Sequence, residues 1–132
     1  MAERTFTAPP INPEAEPFYA AAAQGRFLLR RCTSCQRTHW YPRAICPFCP
    51  GTTAWEEASG EGVIYSYSVM RRVPAPFALA YVTLAEGPTM MTNLVDCDFD
   101  ALRIGQNVRL VWKPSEGGAP VPCFTPTESS AG

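Results

Sequence analysis

A mostly β chain is the fold class this sequence predicts: a short N-terminal helix, a metal-binding ribbon, then a small β-barrel. Three observations predict it. Four of the six cysteines, Cys32, Cys35, Cys46 and Cys49, stand as C-x2-C-x10-C-x2-C. Downstream of them, runs of β-branched and aromatic residues are separated by turns bearing Pro and Gly. Finally, 14 prolines and 9 glycines in 132 residues imply many short elements and no long helical bundle. A chain of this length forms one domain, or two small units sharing a core, and buries roughly two thirds of its unfolded surface.

The first dozen residues are Pro-rich and read as an arm over the surface. NPEAEPFYAAAAQG then carries helix signals: Asn12 as a cap, Pro13 and Pro17 suited to a first turn, four alanines, and Gly25 as terminator. Phe18, Ala21 and Ala22, spaced three and four apart, form the buried stripe. RFLLRR (Arg26 to Arg31) is a strand entering the first cysteine pair, and THWYP (Thr38 to Pro42) its hairpin partner leading to the second. A short strand surrounds Trp55. GVIYSYSVMRR alternates, which places Val63, Tyr65, Tyr67 and Val69 on one face and Ile64, Ser66, Ser68 and Met70 on the other. FALAYVTL, TMMTNLVDC and NVRLVWK follow, separated by VPAP, AEGP and LRIGQN. Five or so such strands favour a barrel, because closure removes exposed sheet edges. The stretch TPTESSAG reads as a polar tail.

The net charge of -1 is unevenly spread. From Pro17 to Trp55 there are Arg26, Arg30, Arg31, Arg37 and Arg43 but no carboxylate, so this segment should present a mildly basic face. Such a face attracts phosphates on nucleic acid or on a cofactor. No run approaches the roughly 18 apolar residues that cross a bilayer, and the start MAERTFTAPP lacks the apolar core of a signal peptide. No membrane association is expected, and the chain reads as cytoplasmic.

In that compartment paired cysteine knuckles are more often metal ligands than disulfides. Two-residue spacing lets each pair converge its sulfurs on one ion, and ten residues suffice for a hairpin to bring the second knuckle opposite the first. Tetrahedral Zn2+ on Cys32, Cys35, Cys46 and Cys49, one per chain, is the expected result. With four thiolates the coordination sphere is full and leaves no place for a reactive water, so the zinc is structural. His39 reads as a polar residue of the ribbon hairpin, and Cys97 and Cys123 as buried free thiols. DCDFD (Asp96 to Asp100) opens like a calcium loop but has Ala101 and Asn107 where that loop needs Gly and Glu; it reads as a solvated acidic turn. The sequence carries no recognisable catalytic apparatus, and no turnover is expected of the isolated chain.

The succession PFYAAAAQGRFLLRRCTSCQRTHWYPRAICPFC, ASGEGVIYSYSVMRR, the segment from EGP to NLVDCD, and RIGQNVRL resembles a family of zinc-ribbon, OB-fold proteins long labelled a domain of unknown function. The resemblance spans about residues 13 to 125. Its motifs include the helix ending at Gly25, Pro42 between the knuckles, Cys46-Pro47, Ser59-Gly60-x-Gly62 and Gly105. It implies a rubredoxin-like zinc ribbon followed by an OB-fold barrel. The expected domains are an arm and helix (1–25), the ribbon (26–58), the barrel (59–127) and a flexible tail (128–132). It also implies an accessory subunit in a hetero-oligomer with a thiolase-superfamily protein: a thiolase, a hydroxymethylglutaryl-CoA synthase, an acyltransferase or a sterol-carrier-like aldolase. There the partner does the chemistry on an acyl-CoA by thiolysis, retro-aldol cleavage or acyl transfer.

If acyl-CoA is a ligand shared with that partner, its phosphates need accessible arginines and its pantetheine arm an apolar wall. Arg71 and Arg72, followed by VPAPF and Phe77, are the favoured cluster; Arg30, Arg31 and Arg37 on the ribbon are the other. The competing function is nucleic-acid binding, which zinc ribbons and OB-folds both perform. A single lysine, Lys113, and a pI near 5.8 weigh against it. Tyr65 and Tyr67, which could stack on bases, are assigned to the core.

Overall fold

The computed structural model describes residue 6 and residues 13–40, 43–116 and 118–127. Asn12, Tyr41, Pro42, most of the expected arm and the end of the tail lie outside them. The chain begins with a 3-10 turn, Pro13–Ala15, and helix α1, Glu16–Ala22, with Pro17 in the first turn where its missing N–H costs nothing. The helix stops in a Schellman arrangement: Arg26 N–H donates to the Ala21 carbonyl and Gly25 N–H to that of Ala22, with Gly25 at φ 77°. Phe18, Ala21 and Ala22 are buried, as their spacing predicts.

Strands β1 (Leu28–Cys32), β2 (Thr38–His39) and β3 (Thr53–Glu57) form a three-stranded antiparallel sheet in the order β2-β1-β3. Strands β4 (Glu61–Met70), β5 (Phe77–Leu84), β6 (Thr89–Leu94), β7 (Asn107–Ser115) and β8 (Gly118–Pro126) close a barrel in the order β4-β5-β6-β8-β7. Ile64, Ala80, Val82, Met90, Leu94, Val108 and Phe124 fill its interior.

The sequence expectation fails along β4. A bulge lies between Ile64 and Ser66: Ile64 pairs with Val82 but Ser66 with Tyr81, which leaves Tyr65 as the extra residue. Facing therefore switches partway along the strand. Ile64 points into the barrel, Tyr67 and Val69 pack against the core further on, and Tyr65 is 67% exposed. Tyr65 is thus not a core residue, whereas Tyr67 is anchored by its hydroxyl, which donates to the Leu102 carbonyl at 2.9 Å.

The prolines of GAPVPCFTP conceal β8 in the sequence. The Phe124 carbonyl accepts from Val95 N–H, and that of Pro122 from Thr92 Oγ1. Even-numbered residues of β8 therefore aim their backbone groups at β6, where the pairing is a single parallel register, Leu94 with Phe124. Pro120, Pro122 and Pro126 share that parity, so their missing donors fall on the sparsely bonded side. The ladder to β7 runs from Val108–Pro126 to Ser115–Gly118. Thr125, read as the start of the polar tail, is buried in this strand.

One aromatic cluster joins helix, ribbon and barrel. The buried Phe18 ring contacts Tyr19, Trp40 and Trp112 at centroid distances of 4.9, 5.2 and 6.0 Å, and Phe27 at 6.1 Å. Trp40 belongs to the ribbon and Trp112 to β7, so the helix is the wedge between them.

Candidate functional site

The knuckles are built by the ends of the ribbon strands. Cys32 closes β1; its N–H donates to the Arg37 carbonyl and its own carbonyl accepts from Gln36 N–H, which turns the chain back through Cys35. The second pair is held by Cys46 N–H on the Gly51 carbonyl and by the bridge of Ile45 with Thr52. As a result the four sulfurs lie within 4.8 Å of one another, with Cys32 to Cys49 at 3.5 Å and Cys35 to Cys46 at 3.7 Å. A disulfide needs about 2.0 Å. Four thiolates around zinc at about 2.3 Å each would stand roughly 3.8 Å apart, so the donor set and its spacing fit that ion.

Backbone N–H groups complete the cradle. Ser34 and Cys35 both donate to Cys32 Sγ at 3.3 Å, and Phe48 donates to Cys46 Sγ at 3.4 Å. The Cys35 N–H, helped by that of Ser34 and by the Cys49 side chain, outweighs burial and lowers the Cys32 thiol to about 6. For Cys35 the Arg37 N–H acts in the same sense, but burial and the other three cysteines prevail and push it up to about 11. Four crowded thiols share protons this unequally because their negative charges repel; a divalent cation removes that conflict.

Two of the ribbon arginines are neutralised by carboxylates that follow the acid-free window. Arg26 pairs with Glu57 and Arg31 with Glu56, both at 3.3 Å, because β3 runs antiparallel beside β1. Arg30 lies 4.2 Å over the Trp55 ring and donates to the Thr53 carbonyl. Arg37 covers Phe48 at 4.9 Å. The basic face expected from composition is therefore smaller than the arginine count implies.

Arg71 and Arg72 follow β4, and Phe77 opens β5 opposite Met70. Both arginines are exposed, and Arg71 makes an ion pair with Asp100 at 2.7 Å. Asp100 belongs to the acidic turn, which is a 3-10 turn, Phe99–Ala101, capped by the Asp98 side chain on Asp100 N–H.

Cys123 is buried in β8 as expected. Cys97 is only partly buried and lines a cleft of about 240 Å³ with Asp96, Asp98, Leu102 and Thr125. Burial, then the Asp96 and Asp98 charges, push its thiol up to about 11, which keeps it protonated and poorly nucleophilic at neutral pH. His39 is buried; its Nε2 accepts from Arg43 N–H at 3.2 Å, and burial lowers its pKa. A larger cleft, about 390 Å³, lies between Phe27 and the barrel residues Leu110 and Trp112. Glu57 and Glu61 outnumber Arg109 along it, which does not suit phosphate.

Sequence reasoning missed the outward face of β4, β5 and β6. Tyr65, Tyr81 and Met91 are exposed there, and Ile45 and Phe48 at the ribbon tip. The available signal was charge: between Gly62 and Val95 the charged residues are Arg71, Arg72 and Glu86, all of them outside the strands.

A cysteine-knuckle ribbon on a five-stranded barrel defines a class of two-module proteins with a metal-binding ribbon and a small barrel. Comparison with known proteins gives the family. Residues 20–56 match the model of the ChsH2 rubredoxin-like zinc ribbon domain, and residues 55–113 that of the ChsH2 C-terminal OB-fold domain. The chain belongs to this ChsH2/DUF35 family. A DUF35 domain-containing scaffold protein of Methanothermobacter thermautotrophicus is 36% identical over 63% of this chain and 68% of its own length. A probable enoyl-CoA hydratase alpha subunit of Thermomonospora curvata is 35% identical over 89% of this chain, which spans only 39% of that protein. The scaffold protein of Methanocaldococcus jannaschii, 35% identical, is spanned over 64% of its length. Among solved structures, a chain of the Ltp2-ChsH2(DUF35) aldolase superposes with a TM-score of 0.78 at 34% identity, over 91% of this chain and 99% of that one. A DUF35 protein of Sulfolobus solfataricus shares the fold at 16% identity and a TM-score of 0.62, over 76% of this chain and 78% of its own.

Proposed function

We propose that this chain is a non-catalytic accessory subunit in the cytoplasm. It docks on a thiolase-superfamily enzyme and helps to bind or channel the acyl-CoA on which that partner performs carbon–carbon cleavage or acyl transfer. The observation that carries the reading is the match, over nearly all of this chain, to one component of a two-component aldolase. Relatives named as scaffold proteins and as a subunit of an enoyl-CoA enzyme support it. So does the state of the candidate nucleophiles: Cys123 is buried and Cys97 is held as a thiol.

In this reading residues 26–58 form the ribbon unit and 59–127 the barrel unit. Cys32, Cys35, Cys46 and Cys49 hold one structural Zn2+, which supplies the cross-link that so small a ribbon cannot obtain from a core of its own. Arg71 and Arg72 bind acyl-CoA phosphates beside Phe77. The exposed Arg71–Asp100 pair is worth at most about 1 kcal/mol and yields readily to a phosphate.

Nucleic-acid binding finds partial encouragement in the exposed Tyr65. However, the strands around it carry no Lys or Arg with which to track a phosphate backbone.

The test has two parts. Purified alone, the chain should turn over no acyl-CoA by thiolysis, retro-aldol cleavage or acyl transfer; partner-free activity would refute the accessory role. In complex with an Ltp2-type partner, Arg71→Glu with Arg72→Glu should weaken acyl-CoA binding by about tenfold at low salt and leave assembly intact. Unchanged affinity across a salt series would remove the arginine assignment.

A further inference from the structure

Beyond Glu61 at the start of β4, the outward face of β4, β5 and β6 carries none of the charged residues that normally cover a solvent-facing sheet. Tyr81 and Met91 are direct cross-strand partners, 48% and 58% exposed. Tyr65 alternates outward from the buried Ile64 and stands at the bulge, opposite the step from Tyr81 to Val82, so three large side chains adjoin across three strands. Val63 and Met70 extend the patch along β4. Ile104, 69% exposed, extends it from the turn in which Gly105 N–H bonds the Ile64 carbonyl.

We propose that this face is the docking surface for the catalytic partner, a folded protein that presents a concave, uncharged, apolar surface. The inference rests on the accessory-subunit reading and adds the location of the joint.

Area supports it. The six side chains expose roughly 500–600 Å² together, at the upper end of the largest patch on a typical monomer. They supply most of the about 800 Å² that one side of a standard interface buries. Composition supports it too, since interface cores are enriched in Tyr and Met and depleted of charge. Arg71 and Arg72, at the end of β4 next to Met70, form a charged rim. An acyl-CoA held there would lie at the edge of the joint, within reach of both proteins. Shape selects the occupant: the outside of a closed five-stranded barrel is convex, so two copies meet over a small area, whereas a concave partner covers the whole patch. Closure also removes the free strand edge through which an extended peptide would add.

The test uses the full chain and, as probe, the Ltp2 chain of the solved aldolase. Hydroxyl-radical footprinting of the wild type reads Tyr65, Tyr81 and Met91 directly, with Phe48 on the ribbon as reference. Binding should reduce oxidation of the three by about threefold or more. Tyr81→Glu with Met91→Glu should weaken binding by at least about tenfold, because each carboxylate would have to be buried unpaired. Both sites are exposed, so the thermal melt should hardly move, and the wild-type footprint stands without the variant. If Ltp2 binds while all three residues stay oxidised and the variant binds equally well, the docking face is wrong and the accessory reading survives. Absence of Ltp2 binding overturns both. A homodimer that masks the patch, or protection by a single-stranded oligothymidylate, assigns the face to another occupant and overturns the proposal.

Discussion

Phe18→Ala should loosen the whole molecule, because Phe18 is the residue at which helix, ribbon and barrel meet. Its ring is fully buried and lies 4.9 to 6.1 Å from four other aromatic rings. Truncating a buried Phe costs about 3–5 kcal/mol, and the cost is highest where the surroundings cannot collapse. Here they cannot, since Trp40 belongs to the ribbon and Trp112 to the barrel, and edge-on aromatic pairs add about 0.5–1.5 kcal/mol each beyond area. A loss near 4 kcal/mol is a large part of the about 5–15 kcal/mol typical of a domain. At this chain length it lowers the Tm by roughly 15 °C. Urea unfolding followed by Trp fluorescence is the assay, because Trp40 and Trp112 flank the site and report on its opening. Phe18→Leu should recover about half of the loss, and zinc content should stay at the wild-type level in both variants. A Phe18→Ala protein destabilised by less than about 1.5 kcal/mol would refute the account of the helix as the wedge between the modules.

Gly62→Ala places a Cβ 2.6 Å from Val82 Cγ1 and 2.9 Å from the Thr83 carbonyl oxygen, so it should cost about 1–3 kcal/mol; a neutral or stabilised variant in a calorimetric melt would contradict the packing of β4 on β5. Cys46→Ser should abolish stoichiometric zinc by metal analysis and melt the ribbon, and a zinc-free variant of wild-type stability would show that the ion is not structural. Burial holds the His39 pKa below its ordinary 6.5, so the unfolded chain binds a proton that the folded chain refuses. Stability from this site is complete above about pH 6.5 and falls as pH drops below it; the loss should be smaller in His39→Gln. Paired melts with excess zinc at several pH values check this, and a wild-type-minus-variant difference that does not change with pH would refute it.

Features that rest on spacing and local backbone preference are legible in the chain before it folds. The knuckle intervals bring Cys32, Cys35, Cys46 and Cys49 together, because two-residue turns and a ten-residue hairpin have little geometric freedom. Gly25 ends α1, and β5 runs from Phe77 to Leu84 between two Pro-bearing turns, as the punctuation predicts. Tertiary structure alone decided the rest. The bulge at Tyr65, which returns Tyr67 and Val69 to the interior, follows from register against β5, and one extra residue reverses every later side chain in the strand. Strand β8 depends on a neighbour, β6, that asks almost nothing of the backbone groups its prolines lack. The ion pairs of Arg26 and Arg31 need β3 beside β1. The uncharged face of Tyr65, Tyr81 and Met91 depends on the register of two successive hairpins, β4–β5 and β5–β6, which sets Met91 opposite Tyr81 and Tyr65 beside the bulge; spacing along the chain does not encode that register.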